Sequence, residues 1–489
     1  MSKVLVATCP KRVLRCPANG NQGRIMENDG EKEKLRTKMV HLCDETAEYG
    51  IQFDRNPTAA EIKNTVKMIK KIKKQSKKKN KGKYHSDETD NPNLSQALLS
   101  KKQPIYGLKQ AGLLWFQNIK VKLLKFGAQQ CTFDECVFKY IEGNEVIYII
   151  IYVDDILSTS STNAITEKLL KYLREQYGEV NEVTNTATHL GIRWIKLRDG
   201  SIKINQPGYI DKILKEMNME NCDTVQAPIM SAFTREKNRM TTQIEQATGG
   251  DTLEEKQHEL RKIIGLLNHI AIHTRPDILF AVSRLSTNIM NANDEYINDG
   301  KYIIKYLKGT KNLGLTFSTK VKPILVGYVD ASYLTHEDAK SHSGICYSLG
   351  QGSTACFFSK SAKQKLVTRS SAEAELYALD ISVCDVQWFR EVLQFLDNTQ
   401  TEPTTIYEDN MSAMTLATHE TKPKDCSKHI NMRYHYCKDA IKNKEIYLEY
   451  INTKDQIADI LTKNMTSISE FKRLRALLMN IQNADPKSK

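Results

Sequence analysis

The longest apolar run in the chain spans eight residues, from Val146 to Val153, and is followed directly by Asp154 and Asp155. A helix that crosses a bilayer needs about 20 apolar residues, so this run is too short to span a membrane. Its length predicts a buried strand instead. The segment Cys136–Ile141 before it predicts a partner strand, with Glu-Gly-Asn as the connecting turn. The sequence therefore predicts two adjacent carboxylates at the tip of an apolar hairpin.

The charge balance favours an anionic partner. Of the 489 residues, 40% are hydrophobic and 26% are charged, and the formal net charge is +13. The length predicts about three domains. A basic surplus of this size favours nucleic acid as the partner, ahead of a membrane surface. A globular protein with a lysine-rich tail would show the same surplus, so charge alone does not decide between them.

The cysteines and the chain start favour an intracellular protein. The eleven cysteines include no pair at the Cys-x2-Cys spacing of a zinc site. Their odd number and scattered positions favour reduced thiols over a disulfide framework. The start MSKVLVATCPKRVLR has too short an apolar run for a signal peptide. We therefore expect a cytoplasmic or nuclear location.

The first 95 residues differ in composition from the rest. A helix is predicted to begin at Asn56-Pro57, and ten lysines lie between Lys67 and Lys83. A run of this kind predicts a solvated, poorly ordered stretch, with a nucleic-acid or nuclear-import patch as the alternative. The acidic segment HSDETDNPNLS after it predicts a linker.

Regular structure is predicted from about residue 100. Helices are expected at 110–126 and 164–177, a second hairpin turns at Asp199-Gly200, and residues 208–310 are mainly helical. From Ile324 the predicted order is strand, strand, strand, long helix, strand, helix, helix, strand, helix. This alternation predicts an α/β domain that folds on its own core.

Four acids of that last segment can converge at one sheet edge. Asp330 ends a predicted strand, Asp409 ends another, Glu375 lies early on the helix 371–396, and Asp459 is predicted to open the final helix. Four acids so placed can hold two divalent ions about 4 Å apart, as in-line phosphodiester hydrolysis requires. Each acid taken alone is readily explained as a surface residue, because most Asp and Glu side chains are exposed. Other acids lie nearby in the sequence: Glu373, Glu408, Asp425 and Asp455.

A series of ordered motifs gives the chain a family resemblance. The tetrad YVDD at the hairpin tip resembles the polymerase site of reverse transcriptases, and PIYGLKQAGLLW (Pro104–Trp115) resembles a segment of copia-type LTR retrotransposons. Similar segments continue in the family's order to about residue 470: HLGI, NQPGYIDKILKEMNM, TRPDI, YLKGT, GYVDASY, KSHSGICYSLG, TRSSAEAELYALD, IYEDNMSAM, KHINMRYHY and EYINTKDQIADILTK. The chain resembles the Pol polyprotein of copia-type (Pseudoviridae) LTR retrotransposons. It shows no protease, zinc-knuckle or integrase motif of that family, so we expect a piece of Pol.

The resemblance implies two metal sites. Asp154 and Asp155 would be the polymerase acids beside the primer end, both at a metal, and three residues would line an incoming dNTP: Tyr106, Gly107 and Lys109. In the ribonuclease H part the metal ligands would be Asp330, Glu375, Asp409 and Asp459. The implied metal is Mg²⁺, with Mn²⁺ as an alternative. Three basic or titratable residues could either pack on the protein or touch phosphates: His429, Arg433 and His435.

The implied architecture is multidomain, α/β and α+β. It consists of a lysine-rich segment at 1–95, a partial reverse-transcriptase palm at 96–205 and a helical thumb and connection at 206–320. A ribonuclease H-like domain, a mixed sheet flanked by helices, follows at 321–470, and a tail at 471–489. The partners would be an RNA–DNA hybrid and a DNA or RNA duplex. We expect no membrane partner and no small-molecule cofactor beyond metal and dNTP.

The polymerase part departs from the family in one respect. The family has a third aspartate upstream, in a segment similar to DVKTAFLNG, which this sequence lacks. Asp54 lies at a suitable distance before Tyr106, but Pro57 and the lysine-rich helix follow it. We therefore expect Mg²⁺-dependent hydrolysis of RNA in RNA–DNA hybrids and no polymerisation by this chain alone. The alternative is a non-catalytic nucleic-acid-binding remnant of a mobile element.

Overall fold

The computed structural model describes residues 4–8, 111–153, 155–178, 180–184, 188–228, 252–418 and 428–481. Residues 4–8, 111, 181–184 and 428–430 are described by their backbone alone. The described residues form two compact units. The small unit contains 111–129 and 140–182, and the large unit contains 130–139 and 183 onward. Among the described helices, none is long and apolar enough to cross a membrane.

The elements up to residue 205 are mostly strands. In chain order they are β1 Val4–Thr8, α1 Ala111–Phe126, β2 Gln129–Gln130, β3 Val137–Glu142, β4 Glu145–Tyr152, β5 Asp155–Ser160, α2 Asn163–Tyr177, β6 Asn181–Thr184, β7 Thr188–His189, β8 Ile192–Lys196 and β9 Ile202–Asn205.

The later elements are helices followed by an alternating α/β segment. They are α3 Pro207–Glu216, α4 Leu253–His273, α5 Leu279–Thr287, α6 Asp294–Gly309, β10 Leu315–Phe317, β11 Leu325–Ser332, β12 His342–Leu349, β13 Cys356–Lys363, α7 Ser371–Phe395, β14 Thr404–Glu408, α8 Met411–Thr418, α9 Lys428–Lys442, β15 Ile446–Tyr450 and α10 Ile468–Met479.

In the small unit, β4 and β5 form an antiparallel hairpin in which Tyr152 lies opposite Asp155. The apolar run was expected to be a buried strand, and this is correct for one face only. Ile147, Ile149 and Ile151 are buried, whereas Ile150 is 42% exposed. Side chains alternate between the two faces of a strand, so a continuous apolar run on a one-sided hairpin leaves half of its residues in solvent.

The large unit contains two sheets. The four-stranded sheet has the order β10-β9-β8-β7, and its β8–β9 hairpin turns through Asp199 and Gly200 as predicted. Gly200 has a φ of +91°, a conformation that glycine adopts without a steric penalty. The five-stranded sheet has the order β13-β12-β11-β14-β15. Its β11–β14 and β14–β15 pairs are parallel and its other pairs antiparallel, which confirms the mixed sheet flanked by helices.

The five-stranded sheet is covered on both faces. One face packs against α7 and α9, with Val383 of α7 and Ile406 of β14 fully buried in the same core. On the other face, Tyr328 and Tyr407 belong to a core that continues into the helices α4, α5, α6 and α10. The expectation that the α/β segment folds on its own core is therefore wrong on this face. Its apolar strand residues bury themselves against the preceding helices.

Candidate metal centre

Two of the predicted acids meet because their strands are parallel neighbours. Asp330 lies near the end of β11 and is 2% exposed, and Asp409 follows the last residue of β14. Tyr328 lies opposite Tyr407 in the parallel register, so both acids reach the same edge of the sheet. One carboxylate oxygen each of Asp330, Asp409 and Glu375 lie within 4.8 Å of one another. We call these three residues the acidic triad.

Glu375 reaches the triad from helix α7. Ser370 caps the start of this helix, and its hydroxyl accepts a hydrogen bond from the Glu373 amide at 3.2 Å. Glu373 itself turns back, and its carboxylate accepts from the Arg369 amide at 2.8 Å. Glu375 is 3% exposed. The structure therefore brings Glu375, not Glu373, to the sheet edge.

Asp459 does not open an α-helix as expected. It lies inside a short 3₁₀ turn, Ile457–Leu461, and the last α-helix begins only at Ile468. The turn packs against β12 at Gly344, where an added Cβ would come within 2.6 Å of the Thr462 side chain. This close packing favours the tight turn over a wider α-helix. We call residues 457–463 the Asp459 turn.

Lys463 links Asp459 to the triad. Its ammonium lies 2.6 Å from Asp459 Oδ1 and 3.5 Å from Asp330 Oδ1. The Thr462 hydroxyl also donates a hydrogen bond to Asp330. Asp459 thus stands beside Asp330, on the side of the cluster where Lys463 supplies a positive charge.

Burial makes these carboxyl groups hard to ionise without a cation. Burial, above all, raises the pKa of Glu375 well above its usual value, and the charge of Glu408 adds to the effect. Burial also raises the pKa of Asp330 and brings that of Asp459 to about 7, against the opposing effect of Lys463. A cluster of this kind favours either protonation or a bound cation.

Glu408 is a further buried acid, and the sequence motifs did not single it out. It is the last residue of β14 and is fully buried. Its Oε1 accepts from the Asn410 amide at 3.0 Å, whereas its Oε2 has no partner among the described residues. The alternation of side chains between the two faces of β14 was the sequence feature that could have predicted this burial. Glu408 lies two residues after the fully buried Ile406, on the same face of the strand.

The residues present fit a divalent metal ion. The donor set consists of carboxylate oxygens, which suit Mg²⁺ and Mn²⁺. Buried oxygens of Glu375 and Glu408 have no hydrogen-bond donor within the described part of the chain. A buried carboxylate oxygen without a donor is costly, and a hard cation would satisfy it.

The hairpin site is described only in part. Asp155 begins β5 and is half-buried. Asp154 lies outside the described residues, as do the predicted nucleotide-lining residues Tyr106, Gly107 and Lys109. The Trp115 indole donates to the Val153 carbonyl at 2.5 Å, and Val153 has a φ of +50°. Trp115, from the YGLKQAGLLW segment, therefore holds the tip of the hairpin.

Helix α9 carries the three basic or titratable residues noted in the sequence. Arg433 forms an ion pair with Asp380 and lies over the Tyr377 ring at 4.0 Å. His435 is exposed, and the side chain of His429 lies outside the described residues. Arg433 is therefore engaged within the protein, whereas His435 is accessible at the surface.

Comparison with known proteins finds similarity to retrotransposon Pol polyproteins. Residues 87–231 match the family "Reverse transcriptase (RNA-dependent DNA polymerase)". The Retrovirus-related Pol polyproteins from transposons RE2 and RE1 of Arabidopsis thaliana are 29% and 30% identical over 75% and 78% of this chain, and the match covers 24% of each relative. That from transposon TNT 1-94 of Nicotiana tabacum is 29% identical over 73% of this chain and 26% of the relative.

Solved structures resemble the chain at lower similarity. The foamy viral protease-reverse transcriptase in complex with RNA/DNA hybrid is 16% identical, covers 78% of this chain and 41% of its own, and has a TM-score of 0.38. LC11-RNase H1, isolated from compost, is 15% identical, covers 29% of this chain and 93% of its own, and has a TM-score of 0.23.

The strand order and the acids define a mixed α/β protein with a buried carboxylate cluster at a sheet edge. The sequence matches confirm the predicted resemblance: the chain is similar to the Pol polyproteins of copia-type retrotransposons, and its residues 87–231 match the reverse-transcriptase family. It spans about a quarter of the length of the curated relatives that it matches.

Proposed function

We propose that the acidic triad, together with Asp459, binds Mg²⁺ and hydrolyses the RNA strand of RNA–DNA hybrids. The observation that carries the proposal is the convergence of three carboxylate oxygens within 4.8 Å at a buried sheet edge. The relationship to Pol polyproteins supports a nucleic acid as the substrate. The formal net charge of +13 also favours a polyanion.

We assign separate roles to several residues of the chain at this site. When bound, divalent ions supply an activated water and positive charge for the phosphate. Asp330 belongs to the triad, and Lys463 contacts both its carboxylate and that of Asp459, so Asp330 can serve both groups of acids with its two oxygens. The Thr462 hydroxyl orients Asp330 through its hydrogen bond. Lys463 is 38% exposed and supplies charge at the outer side of Asp459.

We propose that the tip of the β4–β5 hairpin is a second metal site, of the polymerase type, and that it is inactive in this chain. Asp154 and Asp155 would be metal ligands beside a primer end, and Tyr106, Gly107 and Lys109 would line a dNTP. A polymerase active site of this kind needs a third aspartate, which this sequence lacks. Full-length protein should therefore fail to extend a primer on an RNA template, and robust extension would overturn this part of the proposal.

The cleavage test uses the full-length chain, because the core of the five-stranded sheet continues into helices α4 to α6. A labelled RNA–DNA hybrid is incubated with Mg²⁺ and either wild-type protein, Asp409→Asn or Asp455→Asn. Asp455 is a matched control, since its side chain is 65% exposed and lies outside the triad. We expect Asp409→Asn to lose more than about 100-fold in rate, because even an outer partner of a metal site contributes 10- to 100-fold.

Two outcomes oppose the nuclease proposal. One is no cleavage by the wild-type protein, and the other is equal cleavage by wild-type protein and Asp409→Asn. A purely binding protein would keep its hybrid affinity in Asp409→Asn. It would lose affinity on deletion of the lysine run 67–83, with a smaller dependence on salt.

A further inference from the structure

A line of buried polar groups runs from helix α5 to the Asp459 turn. The Arg284 guanidinium contacts His336 Nδ1, and His336 Nε2 lies 2.9 Å from His342 Nδ1. His342 Nε2 lies 2.8 Å from the Ser361 hydroxyl, which lies 2.7 Å from the Leu461 carbonyl. Arg284, His336 and His342 are 4%, 6% and 0% exposed. This polar relay therefore crosses the interior from a helix to the turn that bears Asp459.

The two ends of the relay fix the direction of every hydrogen bond. A guanidinium only donates and a carbonyl only accepts. His336 must therefore accept at Nδ1 and donate from Nε2, and His342 must do the same. The Ser361 hydroxyl then donates to Leu461. Burial, followed by the charge of Arg284, lowers the pKa of His336 to about 3, in keeping with a neutral ring.

The far end of the relay acts on the metal centre. Leu461 comes two residues after Asp459 and directly before Thr462, whose hydroxyl donates to Asp330. The amides of Thr462 and Lys463 both donate to the Asp459 carbonyl, at 3.1 and 3.0 Å. A hydrogen bond that holds the Leu461 carbonyl therefore constrains both Asp459 and the partner of Asp330.

We propose that His342, acting through Ser361, is a positioning residue for the Asp459 turn, and that Arg284 and His336 hold His342 in the tautomer that this requires. Groups that orient the ligands of a metal site typically contribute 10- to 100-fold to affinity. The effect on metal binding rests on the proposed function. The effect on the turn itself does not, because the relay is complete without any metal.

Hydrogen exchange of the full-length chain in EDTA tests the turn directly. Ser361→Ala removes the donor to Leu461. Ser359→Ala is the matched control, because the Ser359 hydroxyl lies on the same strand, is buried, and has no partner among the described residues. We expect exchange in the Asp459 turn to be about fivefold faster in Ser361→Ala, from the loss of a hydrogen bond of roughly 1 kcal/mol. Equal exchange in the two variants would overturn the proposal.

A second pair of variants separates positioning from general packing. His342→Gln keeps an acceptor and a donor, whereas His342→Leu keeps neither. Mn²⁺ titration should show affinity about tenfold weaker in His342→Leu and Ser361→Ala and close to wild type in His342→Gln and Ser359→Ala. Equal losses in both His342 variants would overturn the positioning role. If wild-type protein binds no Mn²⁺, the proposed function fails, and the exchange comparison still decides on the relay.

Discussion

The ammonium of Lys463 lies 2.6 Å from the carboxylate of Asp459, four residues earlier in the chain, and 3.5 Å from that of Asp330. These two carboxylates are also proposed metal ligands. Lys463 therefore neutralises part of the charge that a second cation would meet. Its side chain is 38% exposed, so it is able to turn toward solvent when a cation takes its place.

Replacement of Lys463 should tighten metal binding. Lys463→Met removes a positive charge that competes for Asp330 and Asp459, and solvent exposure limits the gain to about three- to tenfold in Mn²⁺ affinity. Isothermal titration of the full-length chain measures this affinity. The exposed Lys454, in the same segment, is the control, and Lys454→Met should leave the affinity unchanged. Weaker binding in Lys463→Met would show that the lysine supports the metal rather than competing with it.

The metal-free protein should lose stability as the pH rises toward 8. The pKa of Asp459 is raised to about 7, chiefly by burial, from an ordinary value of 3.8. A carboxyl whose pKa is raised on folding stabilises the fold fully below its unfolded pKa, and this contribution is lost as the pH rises through about 7. In EDTA, we expect Tm to fall between pH 5.5 and 8 by more in wild-type protein than in Asp459→Asn.

Mg²⁺ provides the control for that experiment. A cation that binds the ionised carboxylates stabilises the folded protein at pH 8 by mass action. In wild-type protein, saturating Mg²⁺ should therefore reduce the difference in Tm between pH 5.5 and pH 8. Identical pH profiles for wild-type protein and Asp459→Asn in EDTA would contradict the assignment of Asp459 to the buried cluster.

Glu408→Gln should stabilise the metal-free protein at high pH. Glu408 is fully buried, and its pKa is raised well above the usual value by burial and by Asp330 and Asp409. Gln matches the protonated form, so the substitution removes the cost of ionisation. We expect a rise in Tm of about 2 °C at pH 8 and a smaller one at pH 5.5. The exposed Glu402 offers Glu402→Gln as control, and an equal shift in both variants would exclude this explanation.

A buried ion pair near the Asp459 turn should contribute strongly to stability. Arg275 Nη2 lies 2.8 Å from Asp277 Oδ2, both side chains are fully buried, and Tyr306 also donates to Asp277. Removal of one partner leaves an uncompensated buried charge, which typically costs about 3–5 kcal/mol. Denaturant unfolding of Asp277→Asn should show a loss of this size. Asp223→Asn, at an exposed position, should change stability little, and a loss below about 1 kcal/mol in Asp277→Asn would contradict the prediction.

The sequence correctly predicted those helices and strands whose pattern of capping and apolar residues matches the way they pack in the structure. Helix α7 was expected at 371–396 and spans Ser371–Phe395, because a clear cap and a continuous apolar face define it. Asp330, Glu375 and Asp409 were predicted from strand ends and family motifs, and the structure brings them together. The metal, the reaction and the polymerase residues remain predictions.

The features that escaped prediction depend on contacts distant in sequence. The 3₁₀ geometry of the Asp459 turn follows from its packing on Gly344, more than 100 residues earlier. The burial of Glu408 depends on which face of β14 meets the helix α7. The shared core depends on the helices within residues 253–309. The periodicity of a helix predicts which of its faces is apolar, but it does not predict which sheet packs against that face.

The most direct test of the central claim follows each strand of one RNA–DNA hybrid separately. Full-length protein is incubated with Mg²⁺ and hybrid labelled either on the RNA or on the DNA strand, and Asp330→Asn serves as the inactive variant. We predict that wild-type protein shortens the RNA strand and leaves the DNA intact, and that EDTA or Asp330→Asn abolishes the cleavage. RNA that stays intact with wild-type protein, or that Asp330→Asn cuts at the same rate, would contradict the assignment of the acidic triad as a nuclease metal centre.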